Sequence, residues 1–348
     1  MAPSIAETET KSVPLRTAPT TSLKTEGGFN KENAVSYGRD EEEAKGTAKQ
    51  PPVSFPNYLP VWDNETERYP PLKPFEHYDH GKDADPSFPD LFPKDGKAVV
   101  DVLTPNIGAE VHGVQLSQLS NKGKDQLALY VAQRKVVGMY IVIYHWSIHP
   151  SIRVLILRRN NANFPSKAFR DQDFAHLPIQ KALDYGGYFG RHHIHQTSGA
   201  PKGYPEVHLV YRAAEDTSIS NLLEQRTNTV TWHSDVTFEN QPPGTTFLYI
   251  LDGPTSGGDT LFANQAVAYR RLSPEFRKRL HGLKAVHSGI EQVNASLNRG
   301  GIARRIPITS EHPIVRTHPV TGEKALYVNP QCKFSLSIYI QNPECPNI

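Results

Sequence analysis

Cysteine is nearly absent: Cys332 and Cys345 are the two in 348 residues. A disulfide framework is therefore excluded for the body of the chain, and a reducing cytoplasm is the expected setting. Charge imbalance is lacking too. Thirty-eight basic and 36 acidic residues leave a net charge of +2, so no bulk basic field recommends nucleic acid as a partner. No apolar run is suited to span a membrane. The most apolar segment, 138–167, reads GMYIVIYHWSIHPSIRVLILRRNNANFPSK and is interrupted by His145, His149, Pro150 and Arg153. The opening MAPSIAETETKS carries acid early and has no apolar core, so neither a secretory signal nor a transit peptide is expected. A zinc module is disfavoured, because no Cys/His cluster has ligand spacing.

What is plentiful is histidine and proline, 15 and 29 residues respectively. The length is enough for one large domain or two ordinary ones. Residues 1–95 are rich in Pro, Thr, Glu, Lys and Asp without a sustained apolar period, and read as a mostly disordered or extended tail. From residue 96 the pattern changes. Val99, Val100 and Val102, then Ala109, Val111 and Val114, predict two short strands with a turn at Asn106–Gly108. Helices are predicted after Ser120, over the stretch ending at Gly186-Gly187, and after Ser273-Pro274. From 205 onward, short apolar runs between turns predict an antiparallel β domain, with GTTFLYILD and KALYVNP as its clearest strands. Segment 138–167 fits none of this: as a strand it is long and lacks alternation.

With 15 histidines and 36 acids in 348 residues, about one or two H-x-[DE] triplets arise by accident. Two H-x-D triplets stand out. His77-Tyr78-Asp79 lies in the proline-rich tail, with no predicted strand to hold it. His233-Ser234-Asp235 begins a predicted strand, where residues two apart share a face and can reach one metal. Two such ligands plus a distant histidine make the facial triad of non-haem Fe(II) oxygenases. The plainer alternative is a surface histidine beside an acid.

The surroundings of that triplet bear on the choice. TWHSDVTFENQPPGTTFLYILDGPTSGGDTLFAN resembles the taurine/sulfonate dioxygenase family, particularly its fungal sulfonate branch. So do HPIVRTHPVTGEKALYVNPQ and FRDQDFAHLPIQKALDYGGYFGRHHIHQTSG. The resemblance implies a mainly β fold with flanking helices, a double-stranded β-helix or jelly roll, in a domain over 96–348 with an anomalous insert at 138–167. It implies Fe(2+) as cofactor, with 2-oxoglutarate and O2 as co-substrates. The reaction it implies hydroxylates the carbon next to sulfur in a sulfonate, releasing sulfite and an aldehyde. By the same resemblance His233 and Asp235 match the metal ligands, Thr260 the threonine that binds 2-oxoglutarate, and His195 the substrate-binding histidine; no catalytic residue is implied beyond the metal site. Ser198 and Thr229 replace a tyrosine and an asparagine of the taurine enzymes, which puts taurine itself in doubt. The expected partners are a small-molecule sulfonate and, at most, further copies of the chain, with neither nucleic acid nor membrane. A sulfate ester or another small acid is the alternative substrate; an inactive pseudoenzyme is the alternative to an enzyme.

The family's last histidine and its 2-oxoglutarate arginine follow the YVNP strand, whereas this chain reads YVNPQCKFSLSIYIQNPECPNI and stops. The jelly roll is accordingly expected to be incomplete at its C-terminus, the chain poorly soluble and its turnover impaired. His281, His287, His312 and His318 are poor substitutes, because they precede the missing strands. One hypothesis covers both anomalies. Gln331-Cys332-Lys333-Phe334 permits codons containing GTAAGT, and Gly138-Met139-Tyr140 permits GTATGT, both intron donors. Excising 138–167 keeps the frame and joins Val136-Val137 to Ala168-Phe169, giving the family-like VVAFRDQD. Translated introns predict GT and AG at these boundaries in the genomic DNA; codons without them remove the hypothesis.

Overall fold

A computed structural model describes residues 55–61, 68–137, 153–158, 172–174, 176–211, 232–251, 261–298 and 301–329. Its main sheet has five strands in the order β2-β3-β4-β5-β7. Strands β2 (Val99–Val102) and β3 (Ala109–His112) form the predicted hairpin, with Val102 opposite Ala109. Strand β3 is buried, whereas β2 is the edge strand and its side chains face solvent. The chain then enters helix α1 (Asn121–Arg134), which starts where the sequence marks it: the Ser120 side chain accepts a hydrogen bond from the Gly123 amide at 3.1 Å. Lys135 ends the helix in a left-handed conformation (φ 68°), and its buried ammonium bonds Glu323, which also bonds Arg270 at 2.7 Å. Strand β4 (Val136–Val137) follows, parallel to β3.

Six residues of the segment expected to fit no element form an interior strand. Strand β5 (Arg153–Arg158) lies between β4 and β7 (Thr245–Ile250) and pairs parallel with both. A strand with parallel partners on both edges need not alternate, so the period-2 test does not detect this run. The same pairing corrects the expectation of a purely antiparallel arrangement after residue 205. The other described strands form two-stranded antiparallel pairs: β1 (Pro60–Val61) with β6 (Ala200–Pro201), β8 (Lys284–Ser288) with β9 (Thr309–Pro313), and β10 (Val315–Thr317) with β11 (Lys324–Leu326). The arrangement is mainly β, with α2 (Ile179–Gly187), α3 (Gln265–Arg271), α4 (Pro274–Leu280) and α5 (Ile290–Asn298) beside the strands. Among the described residues no helix is long and apolar enough to cross a membrane.

One core joins these elements. Leu91, Val111, Leu116, Leu127 and Val131 pack with Phe174 and Tyr185, and Phe189 and Phe247 close on them. Leu91 and its neighbours precede residue 96, yet they are integral to this core. The amides of Asp90 and Leu91 both donate to Gln126 Oε1 at 2.8 Å, and Phe88 and Phe92 pack edge-on against Tyr130. Single apolar anchors between turns produce no period, so composition alone does not reveal them. Gly113 is required by space as well as by its positive φ of 74°: a Cβ there would meet the Lys97 carbonyl oxygen at 1.9 Å.

Leu91 is 0% exposed, so Leu91→Ala is expected to cost about 2–5 kcal/mol. A urea midpoint shift with unchanged slope checks it, and a shift of a few tenths of a kcal/mol would show that the 88–92 segment packs only loosely.

Candidate active site

The His233-Ser234-Asp235 triplet is not on a strand. Residues 232–234 are irregular, 235–238 form a turn, and Val236 takes a left-handed φ of 41°. A β-branched residue there is conformationally costly, so surrounding contacts must hold the turn. Those contacts are present. The Asn329 amide donates to Ser234 O at 2.9 Å and to Thr237 Oγ1 at 2.8 Å. On the β8–β9 pair, His287 Nδ1 meets Thr237 Oγ1, Ser310 donates to Phe238 O, and His312 Nε2 meets Glu239 O, at 2.6 to 2.9 Å. The turn achieves what the predicted strand was meant to achieve: His233 Nε2 and Asp235 Oδ1 converge to 3.5 Å, with side chains 43% and 46% exposed.

Asp235 is an ionised acceptor. Burial of its carboxyl opposes ionisation, but the hydrogen bond and charge of His233 and the Thr246 hydroxyl outweigh it and hold its pKa below the ordinary value. Thr246, on β7, donates to Oδ2 at 3.2 Å, which leaves Oδ1 for the side shared with His233. Sequence reasoning did not single out this threonine.

A second loop, 190–198, faces the turn. Its anchor is Glu239, four residues beyond Asp235. Glu239 accepts from Arg305 at 2.6 and 3.3 Å and from His193 at 2.9 Å, and Arg305 also donates to Ile194 O at 3.0 Å. The Arg305 and Glu239 side chains are 1% and 2% exposed. His195 follows two residues after His193. Its Nδ1 accepts from the amides of Thr197 and Ser198 at 3.2 and 3.1 Å, so the ring proton resides on Nε2. Burial, reinforced by His208 and His193, keeps the ring well below the usual imidazole pKa. His195 is thus a neutral imidazole with a fixed N–H donor, within electrostatic reach of Asp235.

The remaining candidates fall elsewhere. Thr260 and Thr229 lie outside the described residues. His77 packs edge-on against Phe75. His281 meets the Tyr269 hydroxyl at 2.7 Å, and His318 Nδ1 accepts from the amides of Val320 and Thr321. With His287 and His312 committed to the turn, all four late histidines have structural duties. Asp101, Glu110 and His112 bring ligand atoms within 4.8 Å of one another on the β2–β3 hairpin. There His112 Nε2 already lies against a carboxylate oxygen of the buried Glu110.

As a test of fit, one imidazole nitrogen and one carboxylate oxygen at 3.5 Å suit two adjacent positions around a borderline cation such as ferrous iron. Among the described residues no third His, Cys, Asp or Glu brings a ligand atom within 4.8 Å of both. The residues present fit two protein positions of a facial triad.

Residues 168–343 match the family described as taurine catabolism dioxygenase TauD, TfdA family. The chain is 39% identical over 299 residues to an alpha-ketoglutarate-dependent sulfonate dioxygenase of Saccharomyces cerevisiae, covering 84% of this chain and 65% of that one. It is 39% identical over 281 residues to the alpha-ketoglutarate-dependent dioxygenase cnsM of Penicillium expansum, covering 79% of this chain and 68% of that one. The match to the yeast protein thus spans slightly under two thirds of that relative. A taurine dioxygenase crystal structure from Burkholderia xenovorans aligns with 25% identity over 69% of this chain and 66% of that one, at a TM-score of 0.40, too loose to define the fold.

Because the Glu239–Arg305 pair is buried, Arg305→Met is expected to cost about 3–5 kcal/mol, measured by urea unfolding at neutral pH. Burial opposes ionisation of Glu239, but His193 and Arg305 outweigh it and lower its pKa below the ordinary 4.5. A lowered folded pKa means the contribution is present above the unfolded value and lost as pH falls through the folded one. The stability gap between wild type and Glu239→Gln should therefore shrink in acid; a gap independent of pH would contradict the assignment.

Proposed function

The chain belongs to the taurine catabolism dioxygenase TauD, TfdA family, and on that premise we propose that it is an Fe(II)- and 2-oxoglutarate-dependent dioxygenase acting on a sulfonate. The observation that carries the reading is the convergence of His233 Nε2 and Asp235 Oδ1 at 3.5 Å on a partly open turn, beside a histidine whose donor is fixed. In this reading His233 and Asp235 hold the metal. Ferrous iron, when bound, supplies the oxidative chemistry with O2 and 2-oxoglutarate, whose overall products are succinate, carbon dioxide, sulfite and an aldehyde.

The chain's own residues do the rest. Thr246 occupies Asp235 Oδ2, which fixes the carboxylate and directs Oδ1 toward the metal side. His195 offers Nε2–H to a sulfonate oxygen, a donor facing an anion. Its neutrality suits recognition without the cost of a buried charge. Thr260 is assigned the 2-oxoglutarate carboxylate, where a hydroxyl donor fits. The mainly β framework is read as belonging to a double-stranded β-helix domain over 96–348, in a cytoplasmic setting. Ser198 and Thr229, in place of the taurine enzymes' tyrosine and asparagine, favour a sulfonate other than taurine, with a sulfate ester as the second reading.

The test is anaerobic equilibrium dialysis against Fe(II). Thr246→Val is expected to weaken metal binding about 10- to 100-fold, and Asp235→Ala to weaken it further. Metal binding indifferent to both substitutions would sink the assignment.

A further inference from the structure

His208 lies in the irregular 205–211 segment that follows β6. Its ring centroid is 4.4 Å from that of His195, with the planes at 59°. Neighbouring histidines are spent on structure: His192 on Leu183 O at 2.7 Å, and His193 on Glu239 at 2.9 Å. His208 differs, because among the described residues its ring nitrogens meet no hydrogen-bonding partner. The side chain is open to solvent, yet surrounding protein pushes its pKa below the usual imidazole value and Asp235 lies within electrostatic reach. The two rings lie side by side, so a single ligand can meet both.

An imidazole whose nitrogens meet no partner among the described residues has two candidate duties at this place. It is not placed as a third metal ligand, because among the described residues no third donor comes within 4.8 Å of both His233 and Asp235. Its contact is with His195 instead. We propose that His208 is a second substrate-binding residue, which joins His195 in a two-imidazole clamp around a sulfonate- or sulfate-type headgroup. This rests on the sulfonate reading above and deepens it. Such a headgroup carries three oxygens. One fixed donor satisfies one of them, and a partly desolvated anion left otherwise unbonded is costly. Adjacent imidazoles can each donate to a different oxygen of one headgroup. A bound anion also favours a proton on the second ring, which strengthens its bond. A carboxylate, with two oxygens in one plane, uses the pair less well. The clamp therefore selects headgroup chemistry and is silent on the tail that follows it.

The experiment is calorimetric titration of the full chain with 1-butanesulfonate, for wild type, His208→Phe, His208→Gln and His195→Phe, beside Fe(II) dialysis of each. His208→Phe should weaken butanesulfonate binding about 10- to 100-fold, with metal affinity unchanged. His208→Gln, which keeps an N–H donor, should recover most of the loss. A parallel series with 1-butyl sulfate distinguishes sulfonate from sulfate ester as the headgroup source. Wild-type binding by His208→Phe, with binding lost in His195→Phe, overturns the clamp and leaves the sulfonate reading standing. So does a His208→Phe defect that Gln does not restore, or one that extends to metal binding. Absence of butanesulfonate and butyl sulfate binding in the wild type overturns both.

Discussion

The buried ion pair between Glu239 and Arg305 is the constraint on which the candidate site depends. Glu239 closes the turn that carries His233 and Asp235. Through His193, the same carboxylate meets the loop that carries His195. Arg305 reaches both, binding Glu239 and the Ile194 carbonyl. Two segments some forty residues apart in sequence are thereby held in one register. Removing either charge would leave the other buried, and an unpaired buried charge is far more costly than the net worth of the pair. The arrangement is thus demanding and specific at once.

Around this pair the site divides into a fixed floor and an open side. The floor is polar and bonded: Asn329, Ser310, His287 and His312 hold the turn by named hydrogen bonds. They also account for how Val236 is kept at a positive φ. On the open side, His233 and Asp235 retain substantial exposure, and the donor of His195 is fixed by its own backbone. Rigid support beneath partly exposed donors is what pre-organised binding requires, because the donors need little reordering when a ligand arrives. The family membership and the local geometry meet at this point: an N,O donor pair beside a neutral imidazole suits metal-assisted chemistry on an anion.

Much of this was legible in the sequence where the signal is local. The N-caps at Ser120 and Ser273 are local side chain-to-backbone bonds, and both occur. The β2–β3 hairpin follows from alternation and its turn residues. His233 and Asp235 were found by spacing and do converge, but for a different reason than supposed: a turn brings them together, not the pleat of a strand. What escaped detection depends on partners distant in sequence. Thr246 matters only because β7 lies beside the turn. His208 gains interest only because the 205–211 segment folds back to His195. Strand β5 was passed over because the lack of alternation looks anomalous unless the strand is flanked by parallel partners.

The most direct measurement is paramagnetic NMR of the full chain titrated with Mn(II), following the histidine ring resonances. If the turn and the 190–198 loop form one site around the His233–Asp235 pair, His195 and His208 broaden together with His233. His80 and His281, bonded to Asp125 and Tyr269, remain sharp. Broadening of His233 without His195, or of no histidine in this group, would contradict the account.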